Sequence, residues 1–519
     1  MRPDTADTPF DYAIVSDLHL AEGKNPETGR ISRWENFFSD EAFERMLSRL
    51  RDLARDRGRP RILIINGDCI DFLRVTSIPQ PAAIPKGFPS ISPTKQKYGL
   101  GTSPAESKWQ LERVLAGHPV FFRGLARFLL AGHRLVIVKG NHDVNWLWPE
   151  VRYRFLESME GFLREEGSRQ SLTEPEISSA LDRIEIRPWV YYVKDLLYVE
   201  HGNQYDPVNA FRHFLYPLLL DPDSPIDRYE IDLPFGSFFT RYFFNKLESQ
   251  DATAPNYLHP ASYFSTLWGR QFYVVWNVVK NYLPYFFRTI RKVSHREGGR
   301  YREIRDHHWR LVRETGEEYG NPKLFQEIAG FHQPPAHDSR SEFLSHALKK
   351  PLRKVGTAIG GLFLLSFFWS FLSEWIAHSP LNLLLRTTLS LVTAYGFIFV
   401  GLLWILFSLK PTREGASYRE AEPGVLRAGA ARIAHLLNVP YIAFGHSHQE
   451  DIWRVPGRNT WYFNTGTWTP VLDAEHRVVR PQVHFPVLLV ESGQARLSRW
   501  NDAAREFDDL PVLSEPAPA

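Results

Sequence analysis

Five short clusters of polar residues along the chain have the composition of a metal site. They are Asp17-Leu-His19, Gly67-Asp68-Cys-Ile-Asp71, Gly140-Asn141-His142-Asp143, His201-Gly202 and Gly445-His446-Ser-His448. Carboxylate, imidazole and amide groups without cysteine suit hard or borderline divalent ions such as Mn²⁺, Fe or Zn²⁺. In Asp17-x-His19, alternation along an extended chain would turn both side chains to one side, as two ligands for one ion. The same spacing recurs in His446-x-His448. The single cysteine, Cys69, excludes an internal disulfide or a cysteine-cluster zinc site, and its expected role is packing.

Each cluster follows a short apolar run: Tyr12 to Ser16, Ile62 to Ile65, Leu135 to Val138, Leu197 to Val199 and Tyr441 to Phe444. Such runs read as buried strands. In an open α/β sheet the strand ends form the functional edge, so all five clusters can meet in one crevice. Gly67, Gly140, Gly202 and Gly445 stand where the chain must leave a strand sharply and pass close to a ligand. The run Trp461 to Phe463 is another strand, and Asn464-Thr-Gly466-Thr-Trp468 after it either contacts a phosphate or makes the turn.

The order D-x-H, G-D-x-x-D, G-N-H-D, H-G, G-H-x-H resembles that of the calcineurin-like metallophosphoesterase superfamily, over about residues 10–206 and 430–500. Within it, Ser16-Asp17-Leu-His19-Leu20 and the Gly-His-Ser-His block look like the bacterial branch that includes UDP-2,3-diacylglucosamine hydrolases. That branch typically has arginine at the place of His142. The resemblance implies a two-sheet α/β sandwich flanked by helices, with a dinuclear centre of Mn²⁺, or of Fe or Zn²⁺. Asp17, His19, Asp68 and His448 would hold one ion, and Asp68, Asn141, His201 and His446 the other, with Asp68 shared. It further implies hydrolysis of a phosphodiester, phosphomonoester or pyrophosphate by a metal-bridging hydroxide. His142 would act as general acid, Asp143 would hold its imidazole, and Asp71 would orient ligands from behind. Two other readings stay open: a soluble nucleotide phosphodiesterase or nuclease of the same superfamily, and a non-catalytic, metal-stabilised membrane scaffold.

From His201 to His446 is 245 positions, so an insertion must lie between them, expected at 207–425 within a metallophosphoesterase domain of 10–206 and 426–500. Val355 to Ser373 and Thr387 to Leu409 contain no Asp, Glu, Lys or Arg. Each is long enough to cross a bilayer, and together they read as a transmembrane hairpin with helices at about 355–375 and 387–409. Lys349, Lys350, Arg353 and Lys354 before it and Lys410 and Arg413 after it place both ends, and the catalytic domain, in the cytoplasm. Gly356 and Gly360 make a GxxxG spacing suited to close helix packing. The aromatic and basic stretch between Phe235 and Lys292 suits a lipid headgroup layer or helical packing, and the expected substrate is accordingly a phosphoester or phosphoanhydride, possibly lipid-linked. His295, His307, His308 and His332 lack ligand spacing and read as surface residues. With 62 Lys+Arg against 59 Asp+Glu the chain carries a net charge of +3, too little for a general polyanion binder, and no nucleic-acid partner is expected. The 43% apolar content excludes wholesale disorder, and only 511–519 reads as a flexible tail.

Overall fold

A computed structural model of the protein describes residues 10–219, 230–241, 245, 299–336, 340–409, 423–470 and 483–510. The tail at 511–519 and most of the aromatic and basic stretch, with His295, lie outside them. The fold is mixed α/β. The chain divides into two compact units, one of Met1–Pro255, Ile290–Ala336 and Arg419–Ala519, the other of Asn256–Thr289 and His337–Tyr418.

In the first unit the expected strands form as β1 (Asp11–Val15), β2 (Arg61–Asn66) and β3 (Arg134–Val138), followed by β4 (Ile184–Arg187), β5 (Val190–Val193) and β6 (Leu197–Glu200). Two-residue strands β7 (Leu218–Leu219) and β8 (Glu230–Ile231) come next. After the insertion come β9 (Tyr441–Phe444), β10 (Glu450–Arg454), β11 (Trp461–Thr465), β12 (Pro486–Glu491), β13 (Gln494–Asn501) and β14 (Glu506–Asp509). One sheet has the order β14-β13-β12-β1-β2-β3-β4, with β1 to β4 parallel; the other has the order β10-β11-β9-β6-β5.

Period-two alternation decides which way each strand side chain faces. Tyr12, Ile14, Ile62, Ile64, Val136 and Val138 of the first sheet share a buried core with Tyr191, Val193, Leu197, Val199, Ala443 and Phe463 of the second. The intervening Ala13, Val15, Leu63, Ile65, Leu135 and Ile137 face the helical side. There they share a core with Phe43 and Met46 of α1 (Asp40–Arg57), Leu111 and Val114 of α2 (Pro104–Gly117), Phe121 and Leu125 of α3 (Pro119–Leu130) and Phe155 and Met159 of α4 (Pro149–Arg169). Burial on both faces explains why β1 to β3 read as unbroken apolar runs.

Among the helices of the insertion that belong to this unit are α5 (Gly299–Glu318) and α6 (Pro322–Ala329), whose Phe325 and Ile328 enter the same core. His308 and His332, expected at the surface, pack inside. His308 is 3% exposed, and burial together with His213 pushes its imidazole down to about 3. His332 Nε2 lies 3.1 Å from Oε1 of the buried Glu200. Sequence spacing alone missed both because their partners are distant in the chain.

The loop after β1 is held by a buried ionic cluster. Glu35 accepts from the backbone N–H of Gly23 (2.6 Å) and Phe37 (2.8 Å), while His118 lies 3.1 Å from Glu35 and 3.0 Å from Asp40. Burial pushes the His118 imidazole down, but Asp40 and Glu35 outweigh it and raise it from 6.5 to about 9. Because the folded value lies above the unfolded one, this contribution is complete below pH 6.5 and is lost as pH rises through about 9. The shift is worth roughly 3 kcal/mol. His118→Gln should therefore lower the melting temperature strongly at pH 6 and much less at pH 10. An equal deficit at both values would contradict the charged-histidine account.

The second unit holds α7 (Arg340–Ala377) and α8 (Leu383–Leu409). Gly356–Ala377 and Leu383–Trp404, 22 residues each, are long and apolar enough to cross a membrane. At 1.5 Å per residue each spans about 33 Å, against about 30 Å of hydrocarbon. Phe363, Phe367, Phe371, Trp375, Leu391 and Phe399 stand exposed along them. The two helices meet at Gly361, where a Cβ would overlap the Trp404 indole, and Trp404 Nε1–H donates to Thr357 O (3.3 Å). Gly356 and Gly360 face open space, so the GxxxG pair is not the contact between these helices.

Candidate metal centre

The polar clusters leave the C-terminal ends of β1, β2, β3, β6 and β9, neighbours across both sheets, and converge. The loops after β1 and β2 are tied together: Asp17 N–H donates to Gly67 O (3.2 Å), His19 N–H to Asp68 O (2.8 Å) and Asp71 N–H to Leu20 O (2.8 Å). Asp17, His19, Asp68, His446 and His448 all have positive φ, between 50° and 68°. A left-handed backbone costs a non-glycine residue ~1–2 kcal/mol, and its concentration here marks a site the surrounding fold over-determines. Asp17 and His19 thus converge through left-handed backbone, not through the extended alternation expected from the sequence.

Asp17 is fully buried. Its Oδ1 makes no hydrogen bond among the described residues, yet lies 3.2 Å from His448 Nε2, 3.8 Å from His19 Nε2 and 4.0 Å from His201 Nε2. His19 Nε2 and His448 Nε2 are themselves 2.9 Å apart. Around Asp68, Oδ2 lies 3.3 Å from His201 Nε2 and 3.9 Å from His19 Nε2, and Oδ1 accepts from His142 N–H (2.8 Å). His201 Nε2 is also 3.2 Å from Asn141 Oδ1, while its Nδ1 lies 2.9 Å from Asn66 O, which turns Nε2 to the cluster. Three groups, Asp17/His19/His448, His19/Asp68/His142 and Asp17/Asp68/His201, bring one ligand atom per residue within 4.8 Å of one another and can hold a metal ion.

Electrostatics favour a cation. Burial pushes the Asp17 and Asp68 carboxyls up, but His201 above all outweighs it and holds both below the usual carboxylate range, Asp68 well below. In return, although burial pushes His201 down, Asp68 and Asp17 raise its imidazole to about 10. The orphaned Asp17 oxygen among imidazole nitrogens is the arrangement a divalent cation fits.

Close approach explains two of the glycines. A Cβ at Gly140 would fall on the Asp68 carboxylate, and one at Gly67 on the His201 ring.

The structure places Asp71, not Asp143, against the His142 ring. Asp71 Oδ2 lies 2.9 Å from His142 Nδ1 and 3.1 Å from His19 Nδ1. Burial pushes Asp71 up, but His142 and His19 outweigh it and hold the carboxyl below its usual range, and the contact of each ring through Nδ1 leaves its Nε2 turned away from Asp71. Asp143 instead accepts from the backbone N–H of Gly140 (2.7 Å) and Cys69 (2.9 Å), bracing the ligand loops. Burial and the neighbouring Asp68 push its carboxyl up to about 6. The Asn464 segment makes the turn and buttresses the site: Asn464 Nδ2–H donates to Gly445 O (2.6 Å) and Thr467 Oγ1–H to Asp17 O (2.8 Å). His446 N–H donates to Asp17 Oδ2 (3.0 Å), and its ring Nε2 lies 3.2 Å from Asp206. Sequence reading took Asp206 only as the last residue before the insertion; the one signal was an acidic residue between the His201-Gly202 strand end and Pro207.

Compared with models of known protein families the chain matches none, and no curated protein matches it.

Proposed function

We propose that the first unit is a dinuclear metal-dependent phosphohydrolase of the calcineurin-like metallophosphoesterase class, tethered to a cell membrane by α7 and α8. The observation that carries the reading is the convergence of Asp17, His19, Asp68, Asn141, His201 and His448 at strand ends, with a buried, unbonded carboxylate oxygen facing imidazole nitrogens. Asp17, His19, Asp68 and His448 would hold one ion and Asp68, Asn141, His201 and His446 the other, with Mn²⁺ as the first choice and Fe or Zn²⁺ also suited to the donors. Bound there, the ions would supply Lewis-acid polarisation of the phosphoryl group and activation of the attacking water. His142 serves as proton donor to the leaving oxygen. Its side chain is 17% exposed, enough to meet substrate, and with Nδ1 on Asp71 it is Nε2 that would carry the transferred proton. Asp71 fixes that tautomer, and the His142 N–H to Asp68 bond fixes the residue beside the ligands.

The test is hydrolysis by the purified, detergent-solubilised protein of a synthetic diester, a monoester and a lipid pyrophosphate. Turnover of at least one with Mn²⁺, abolished by chelation and restored by metal, is expected. No turnover of any of them with Mn²⁺, Fe²⁺ or Zn²⁺ would overturn the reading.

The tether rests on the exposed apolar surface of α7 and α8, which water does not favour and hydrocarbon does. The basic residues flanking both runs support a cytoplasmic catalytic unit. After alkaline carbonate washing the protein should remain with the membrane pellet; release into the supernatant would contradict the spanning hairpin.

A further inference from the structure

Where the chain enters the insertion, a carboxylate reaches back to the candidate site. Asp206 Oδ2 lies 3.2 Å from His446 Nε2. The carboxylate is otherwise ringed by donors: Oδ1 accepts from Val208 N–H (3.0 Å) and Oδ2 from Asn209 Nδ2–H (2.8 Å). Asn209 is itself confined, since a Cβ at Gly236 would meet its Oδ1. The segment after α6 closes over the same stretch, Gln333 N–H donating to Gln204 O (2.8 Å) and Ala336 N–H to Pro207 O (2.7 Å). Asp206 is thereby held by the first residues of the insertion, with the chain on either side of it tied to the segment after α6, and it is 7% exposed.

We propose that Asp206 is a positioning residue for His446: by accepting the Nε2–H it sets the ring tautomer so that Nδ1 is the nitrogen His446 offers to a divalent cation. This rests on the metal-site reading above. The partner geometry leaves one consistent arrangement. A carboxylate whose other contacts are all donors accepts from the ring, and a neutral ring that donates from Nε2 has its lone pair on Nδ1. Backbone geometry already commits the ring to this corner, because His446 has φ 68° and its N–H is held by Asp17 Oδ2. Its ring also lies edge-on to His201, centroids 5.4 Å apart, beside the proposed Asp68/Asn141/His201 ion. The insertion would then do more than carry the hairpin: Val208 and Asn209 at its start hold the carboxylate that supports a ligand contributed from beyond its far end.

In Asp206→Asn, Oδ1 can keep the Val208 N–H while Nδ2 takes the place of Oδ2. The amide then donates toward His446, and the ring is driven to the opposite tautomer. The measurements use the full-length, detergent-solubilised protein with ¹⁵N-labelled histidine. The ring ¹⁵N signals of His446, assigned by their loss in His446→Gln, report the tautomer in the metal-free protein. Titration calorimetry with Mn²⁺ alone reports affinity. The expected result is Nε2–H in the wild type, a shift to Nδ1–H in Asp206→Asn, and one of the two Mn²⁺ sites weakened by ~10–100-fold, with Asp206→Glu recovering most of both. Unchanged tautomer and affinity in Asp206→Asn would overturn the proposal, and so would weakened affinity with an unchanged tautomer, which a purely structural role would produce. A wild type that binds no Mn²⁺ yet shows the Asp206-dependent tautomer would overturn the metal-site reading and leave the ring-orienting contact standing.

Discussion

Replacing Asp68 with alanine is expected to strip the protein of both divalent ions at once and bring phosphoester turnover to the uncatalysed background. Its Oδ2 faces His201 and His19, which belong to different ions in the proposed assignment. Burial pushes the carboxyl up, but His201, His142 and His19 outweigh it and hold it well below its ordinary range, which favours the charged form that binds cations. Asn141→Ala is the useful contrast. Asn141 meets only the His201 side through a neutral oxygen 3.2 Å from Nε2, so its loss should weaken one ion and spare the other. Metal analysis of the two variants beside the wild type checks this. An Asp68→Ala protein that keeps its full metal content would remove Asp68 from the bridging role.

The second large effect is expected at His142. His142→Gln should keep its metal and fold but slow hydrolysis of a substrate with a poor, alkoxide-like leaving group by ~10²–10⁴. For a p-nitrophenyl leaving group, which departs without a proton, the loss should be far smaller. The reason is geometric. The ring sits edge-on to His19, centroids 4.7 Å apart, with Nδ1 committed to Asp71, so the site presents one nitrogen with a defined protonation role. Glutamine has the bulk to hold the backbone bond to Asp68 but cannot deliver a proton. Steady-state rates for an alkyl and a nitrophenyl ester compared side by side decide it; an equal loss on both would mean that His142 only positions substrate.

How much of this was readable in the sequence follows from what is local. The strands that carry the site announced themselves because burial on both faces forces continuous β-branched runs such as Ile62–Ile65, and because polar residues interrupt them only at the functional edge. The two apolar helices were legible for the same reason, as an absence of charge over a full span. Contacts made by chain segments far apart were not legible. Nothing in Gly-Asn-His-Asp says that Asp143 will spend its oxygens on backbone while Asp71, from another strand end, takes the His142 ring. His332 looked solvent-facing until its partner, Glu200, 132 positions away, placed it inside. Asp17 and His19 carried the right residue types, yet it is the left-handed backbone at both, invisible in side-chain alternation, that turns them to one point.

The most direct measurement is the metal content of the wild-type protein after loading with Mn²⁺ and removal of excess, by elemental analysis against protein concentration. The account predicts two ions per chain, bound at sites that chelation empties and Mn²⁺ refills. A chain that emerges with none, under conditions where it is folded, would contradict the dinuclear centre on which the proposed chemistry depends.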